Sequence, residues 1–127
     1  MGGTQWKTTP EPDNVRVLRR EIRDYAERSG MAPARAQDLT LAVSEIVSNA
    51  VLHAYRDGSD GTITVGAELI EDDVVIRIVD DGVGMSPRSD SPGAGMGLMI
   101  AGTLADRMQV ERPSCGGTTV RMTFAAA

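Results

Sequence analysis

The stretch TITVGAELIEDDVVIRIVDDGVGM, Thr62 to Met85, decides the fold. Thr62 to Ile70 and Val74 to Val79 are runs rich in β-branched residues, separated only by Glu71-Asp72-Asp73. So short an acidic turn joins antiparallel neighbours, because a parallel pair needs a long crossover. The second strand then runs into Val79-Asp80-Asp81-Gly82-Val83-Gly84-Met85. A carboxylate at a strand end can accept a hydrogen bond from a base amino group, while the alternating glycines let a flat ligand lie close to bare backbone. Taken alone, these residues also spell a plain Asp-Gly turn.

Toward the N-terminus, residues Pro33 to about Tyr55 are predicted to be helical, with Pro33 in the first turn. Leu39, Val43, Ile46, Ala50 and Ala54 form the buried stripe. Glu45, Asn49 and His53 recur every fourth residue and share another face. The Asn49 carbonyl oxygen suits a hard cation such as magnesium, and Glu45, one turn earlier, can take a proton from an attacking hydroxyl. A solvated polar edge would have the same composition. An earlier helix starts at Asp13 and stops at Gly30, with Val15, Leu18, Ile22 and Tyr25 at helical spacing and Arg16, Arg19, Arg20 and Arg23 on the opposite face. Gln5 to Thr9 reads as a leading strand.

Toward the C-terminus, Asp80 to Gly97 reads as loop, and its last part, Gly93-Ala94-Gly95-Met96-Gly97-Leu98, stands just before a helix predicted over Leu98 to Asp106. Glycines there permit a tight turn whose amides face whatever lies before the helix N-terminus, a phosphate-binding arrangement. No parallel βαβ unit surrounds it, which excludes the dinucleotide-fold reading. Gln109 to Arg112 and Thr119 to Phe124 form a closing hairpin, entered through Gly116-Gly117-Thr118-Thr119. The order β-α-α-β-β-loop-α-β-β, with neighbouring strands antiparallel, predicts a two-layer α/β sandwich of the α+β type: a mixed, mainly antiparallel sheet with helices on one face.

Composition bounds the function. At 127 residues the chain has room for one domain, with no repeat or linker to divide it. The net charge of −5 and the scarcity of aromatics (Trp6, Tyr25, Tyr55, Phe124) argue against a general nucleic-acid binder. A single cysteine, Cys115, forbids an internal disulfide and fits a reducing compartment. Met1 to Pro10 lacks the apolar stretch of a signal peptide, and no run approaches the roughly 20 apolar residues of a membrane span. A cytoplasmic location, away from membranes, is expected.

In chain order, the Glu45, Asn49 and His53 face, the Asp80-x-Gly-x-Gly turn and the Gly93 to Leu98 turn resemble, by their order and spacing, the N box and two glycine boxes of the Bergerat-fold (histidine-kinase-like) ATPase superfamily. Within it the chain is most similar to the stand-alone anti-sigma factor serine kinases of bacteria, over nearly its whole length. The resemblance implies ATP or ADP and magnesium as ligands, with Asn49 holding the metal and Glu45 as catalytic base. Asp80 would read the adenine amino group, supported by Thr118 or Thr119, with Gly82, Gly84 and Met85 against the base. Gly95, Met96, Gly97 and Leu98 would frame the phosphates under a lid of Met85 to Ala94. It implies a serine on an anti-anti-sigma antagonist as phosphoryl acceptor, a sigma factor as sequestered partner and a homodimer as the assembly. The basic face of the first helix resembles a partner-binding surface. Gly93 stands where such kinases carry a basic residue, and Arg88 is the only cation of the lid; that departure motivates a rival reading, a nucleotide-dependent binding module with little or no kinase activity.

Overall fold

The computed structural model describes residues 3–9, 11–51, 61–81, 94–111 and 117–126. Among them are three helices and five strands: β1 Thr4–Thr8, α1 Pro12–Arg28, α2 Pro33–Asn49, β2 Ile63–Ile70, β3 Asp73–Asp80, α3 Ala94–Leu104, β4 Arg107–Glu111 and β5 Thr118–Ala125. The strands form one sheet in the order β1-β2-β3-β5-β4, and all four pairings are antiparallel. The sheet is therefore wholly antiparallel, a stricter pattern than the mixed sheet the sequence suggested.

Strand alternation makes the two layers. Ile63, Val65 and Ala67 of β2, Val74, Ile76 and Ile78 of β3, and Val120, Met122 and Phe124 of β5 are buried on one face. Arg77 and Arg121, opposite each other on β3 and β5, are exposed on the other. Against the apolar face lie Val15, Leu18, Ile22 and Tyr25 of α1, the stripe Leu39, Val43 and Ile46 of α2 with Ala50 just beyond it, and Leu98 and Ala101 of α3, all in one core. Trp6 of β1 meets Tyr25 edge-on, with ring centroids 5.8 Å apart, and ties the edge strand to α1. The predicted stripe is the observed one as far as Ala50; Ala54 lies outside the described residues.

Several element boundaries differ from the expectation. The β2–β3 turn has two residues rather than three, because Asp73 pairs with Ile70; Glu71 takes φ 56°, the positive value such a short turn demands. Helix α3 begins at Ala94, four residues early, and ends at Leu104, two residues early. Glycine's poor helix propensity argued for a start after Gly97, but packing against α2 overrides it. Strand β4 begins at Arg107 rather than Gln109, since the Asp106 amide already donates to the Thr123 carbonyl at 2.9 Å. Residue Asn49 closes α2 as a regular helix; the chain keeps helical form but widens to a π-type turn at Ala50 and Val51, and residues 52–60, including His53 and Tyr55, lie outside the described residues.

Candidate nucleotide site

The polar side chains singled out from the sequence cluster at one end of the sheet. Asp80 is the last residue of β3, pairing with Ile63, the first residue of β2, and Thr118, the first of β5. By strand alternation it points to the helix side, and it is 2% exposed. Its neighbour Asp81 is exposed, and its Oδ1 accepts the Thr62 amide at 3.0 Å. The two adjacent acids are thus separated by the pleat: one is buried where a ligand could be read, and the other closes the start of β2.

The same alternation decides between the two threonines. Thr118 is 1% exposed and directly opposite Asp80 on the inner face, whereas Thr119 opposes Val79 on the outer one. Directly before the strand stands Gly117, with φ 81°. A Cβ there would run into the Asp80 carbonyl oxygen, so only glycine lets β5 enter beside the end of β3. The sequence marked this glycine only as part of the entry to the closing hairpin. What it lacked was the cross-strand register that brings Gly117 onto the Asp80 backbone.

Helix direction brings Asn49 to the same end. In the first turn of α2, Arg35 reaches the last turn of α3, its Nη1 donating to the Leu104 carbonyl at 3.3 Å, and the two helices run antiparallel. That contact lies where Asp73 pairs with Ala125, since Arg35 also binds Asp106, which accepts the Ala125 amide. From Arg35 to Asn49 the helix advances about 21 Å. Over the same span β3 advances about 23 Å from Asp73 to Asp80. Asn49, the N-terminus of α3 and Asp80 therefore share the far end. Asn49 is 6% exposed, and Glu45, one turn back, is half-buried. The π-type turn directly after Asn49 is a signal the sequence did not carry, and such turns recur at functional sites.

The earlier start of α3 changes how its glycines present themselves. The first four backbone N–H groups of an α-helix have no partner within the helix, and here they belong to Ala94, Gly95, Met96 and Gly97. Gly95 and Gly97 are thus inside the first helical turn rather than ahead of it, and the positive end of the helix dipole coincides with them. Leu98, the next residue, is 7% exposed and belongs to the core. Gly82, Gly84 and Met85, with the lid residues Arg88 and Gly93, lie outside the described residues, as does Cys115.

The basic face of α1 is tied into this neighbourhood. Arg19 Nη2 donates to Ser44 Oγ at 2.7 Å, one residue before Glu45. Arg16 and Arg23 pair with Asp13 and Glu27 of their own helix, at 3.5 Å and 3.3 Å. Among the described residues no cluster of three His, Cys, Asp or Glu side chains is placed to hold a metal ion, and no helix is long and apolar enough to cross a membrane.

Comparison with known proteins identifies the family and the fold. Residues 8–124 match the family described as the histidine kinase-like ATPase domain. The chain is 36% identical over 128 residues to an anti-sigma F factor of Caldanaerobacter subterraneus subsp. tengcongensis, covering 92% of this chain and 89% of that relative. It is 29% identical over 134 residues to the serine-protein kinase RsbW of Bacillus subtilis, covering 94% and 82%. A solved structure of the RsbU and RsbW domains of Rv1364c from Mycobacterium tuberculosis superposes with a TM-score of 0.77 at 27% identity. That match covers 98% of this chain but only 32% of the solved one, so the chain spans about a third of that protein's length.

Proposed function

The chain belongs to the histidine kinase-like ATPase domain family, and from that premise we propose that residues 1–127 form one ATP-binding unit acting as an anti-sigma factor with serine kinase activity. The observation that carries the reading is the convergence, at one end of the sheet, of buried Asn49, buried Asp80 beside Thr118, and the backbone amides of the first turn of α3. Each suits a different part of ATP. Asp80 accepts a hydrogen bond from the adenine amino group, held by Thr118 next to it, with Gly82, Gly84 and Met85 along the base. The amides of Gly95, Met96 and Gly97 meet the phosphates, with Leu98 anchoring the turn in the core.

The donor set fits magnesium carried by the nucleotide. Asn49 offers one hard oxygen, and the phosphates and water would complete the shell, as this ion prefers. Magnesium, when bound, supplies charge neutralisation on the phosphates. The rest falls to the protein's own groups. Glu45, half-buried one turn before Asn49, takes the proton of the acceptor serine hydroxyl. The bond from serine oxygen to the γ-phosphorus forms as the bond to the bridging oxygen of the departing ADP breaks. The acceptor is a serine of an anti-anti-sigma antagonist, and the sequestered partner is a sigma factor, which places the protein in the cytoplasm. Arg19 ties the basic face of α1 to Ser44, the residue before Glu45, so an acidic partner surface docked on that face reaches the helix that carries the proposed base. Relatives named serine-protein kinase favour phosphoryl transfer over a binding-only module.

Incubation with magnesium ATP and the antagonist should yield phosphoserine. Glu45→Ala should slow the transfer at least about 10²-fold while magnesium ADP still binds. Transfer at the wild-type rate would remove Glu45 from the role of base, and wild type that binds no nucleotide would remove the site.

A further inference from the structure

Helix α3 is short and carries glycine at positions 95, 97 and 102, so its own propensity contributes little to holding it in place. Its position must come from what it touches. At the end remote from the proposed phosphate site, its polar contacts to other elements converge on one residue, beside the apolar packing of Ala101 and Leu104. Arg35 Nη1 donates to the carbonyl of Leu104, the last residue of the helix, at 3.3 Å. That carbonyl is one of those a helix end leaves without a partner, and a cation there also complements the negative end of the dipole. Arg35 Nη2 donates to Asp106 Oδ2 at 2.7 Å, and the same oxygen accepts the Ala125 amide at 2.7 Å. The guanidinium carbon lies 5.4 Å from the ring centroid of Phe124, which is fully buried. A single side chain thus joins the first turn of α2, the last turn of α3 and the end of β5.

We propose that Arg35 is a positioning residue for phosphate binding: by fixing the C-terminal end of α3 against α2 and β5, it sets where the N-terminal amides of α3 stand relative to Asn49. The inference rests on the reading that the phosphates sit at that N-terminus. A helix is a stiff rod, so a shift at Leu104 is delivered to Ala94 nearly undiminished. Sliding by even one residue would move the amides about 1.5 Å, while misplacement of reacting groups by about 1 Å already costs about 10²-fold in rate. Lysine cannot replace the arginine, because its single ammonium lacks the planar fork that reaches Leu104 and Asp106 together.

The test separates phosphate from base recognition. Magnesium ADP and adenosine are titrated by calorimetry into wild type, Arg35→Ala, Arg35→Lys and Asp106→Asn, and the unliganded melting temperature of each is recorded. Arg35→Ala and Arg35→Lys should both weaken ADP at least about fivefold. Adenosine affinity should stay at the wild-type value, so the preference for ADP over adenosine falls. General loosening would weaken both ligands alike and would overturn the proposal, as would an undiminished ADP preference in either arginine variant. Where Arg35→Ala does not fold, Arg35→Lys and Asp106→Asn decide by the same ratio. Wild type that binds ADP no better than adenosine would instead overturn the phosphate site itself, a different failure with a different signature.

Discussion

Where Asp73 pairs with Ala125, polar groups of α2, α3 and β5 are joined to one another partly in the open: the Arg35 side chain is 26% exposed and its partner Asp106 54%. Where Asp80 pairs with Thr118, at the other end of the same strands, the polar residues Asn49, Asp80 and Thr118 are each at most 6% exposed as whole residues. The first arrangement is inexpensive, since groups at the surface keep part of their hydration while they bridge elements. The second is costly, because a carboxylate and an amide removed from water must be repaid by strong local interactions. Under the proposed reading, a fold that accepts this cost at one end and avoids it at the other separates fastening from recognition. The fastened end holds the helices; the buried end holds donors and acceptors in a low-dielectric setting, where each bond to a ligand counts for more.

The sharpest way to break the contrast is at Gly117. Its φ of 81° and the collision awaiting any Cβ with the Asp80 carbonyl mean that Gly117→Ala must part the ends of β3 and β5. The expected loss is about 3 kcal/mol of unfolding free energy in urea. The melting-temperature gain from magnesium ADP should shrink with it. An unfolding curve that matches wild type would show that the ends of β3 and β5 tolerate a side chain at position 117.

Next in size is Asp80→Asn, which keeps the shape and removes the charge. If the carboxylate reads a base amino group, affinity for magnesium ADP should fall by about 1.5–3 kcal/mol, roughly ten- to a hundredfold. Unfolding free energy should move by less than about 1 kcal/mol, since the side chain stays isosteric. Equal thermal shifts by the nucleotide in wild type and variant would leave Asp80 as a structural acid and erase the distinction between the two ends.

Much of this was legible in the sequence, for identifiable reasons. The β-branched alternation of Ile63 to Asp80 and the stripe Leu39, Val43, Ile46 are periodic signals, and periodicity survives into the fold because burial enforces it. Asp80 and Thr118 were readable as candidates, but that Thr118, not Thr119, stands opposite Asp80 follows only from the β3–β5 register. The start of α3 was misplaced because glycine lowers local helix preference while the contact with α2 is tertiary. The clamp around Arg35 left no local trace at all. It joins residues about 70 positions apart (|i−j| of 69 and 71), and nothing in the first turn of α2 distinguishes Arg35 from an ordinary surface cation.

The smallest effect tests whether the fastened end works as a clamp or merely as a sum of ion pairs. Arg35 also donates to Asp38 Oδ2 at 3.2 Å, within its own helix, with the two side chains 26% and 37% exposed. An i,i+3 pair so placed contributes a few tenths of a kcal/mol, and solvent screens part of that. Asp38→Ala should therefore cost no more than about 0.5 kcal/mol in urea unfolding. It should also leave the preference for ADP over adenosine intact, because it touches neither Leu104 nor Asp106. The bonds that matter are those crossing from α2 to α3 and β5, where the geometry of the guanidinium, not its charge alone, is used. If Asp38→Ala lowered the ADP preference as much as Arg35→Lys, the orientation of Arg35 would depend on its own helix, and the contrast between the two ends would have to be drawn from Asp38 rather than from the cross-helix bonds.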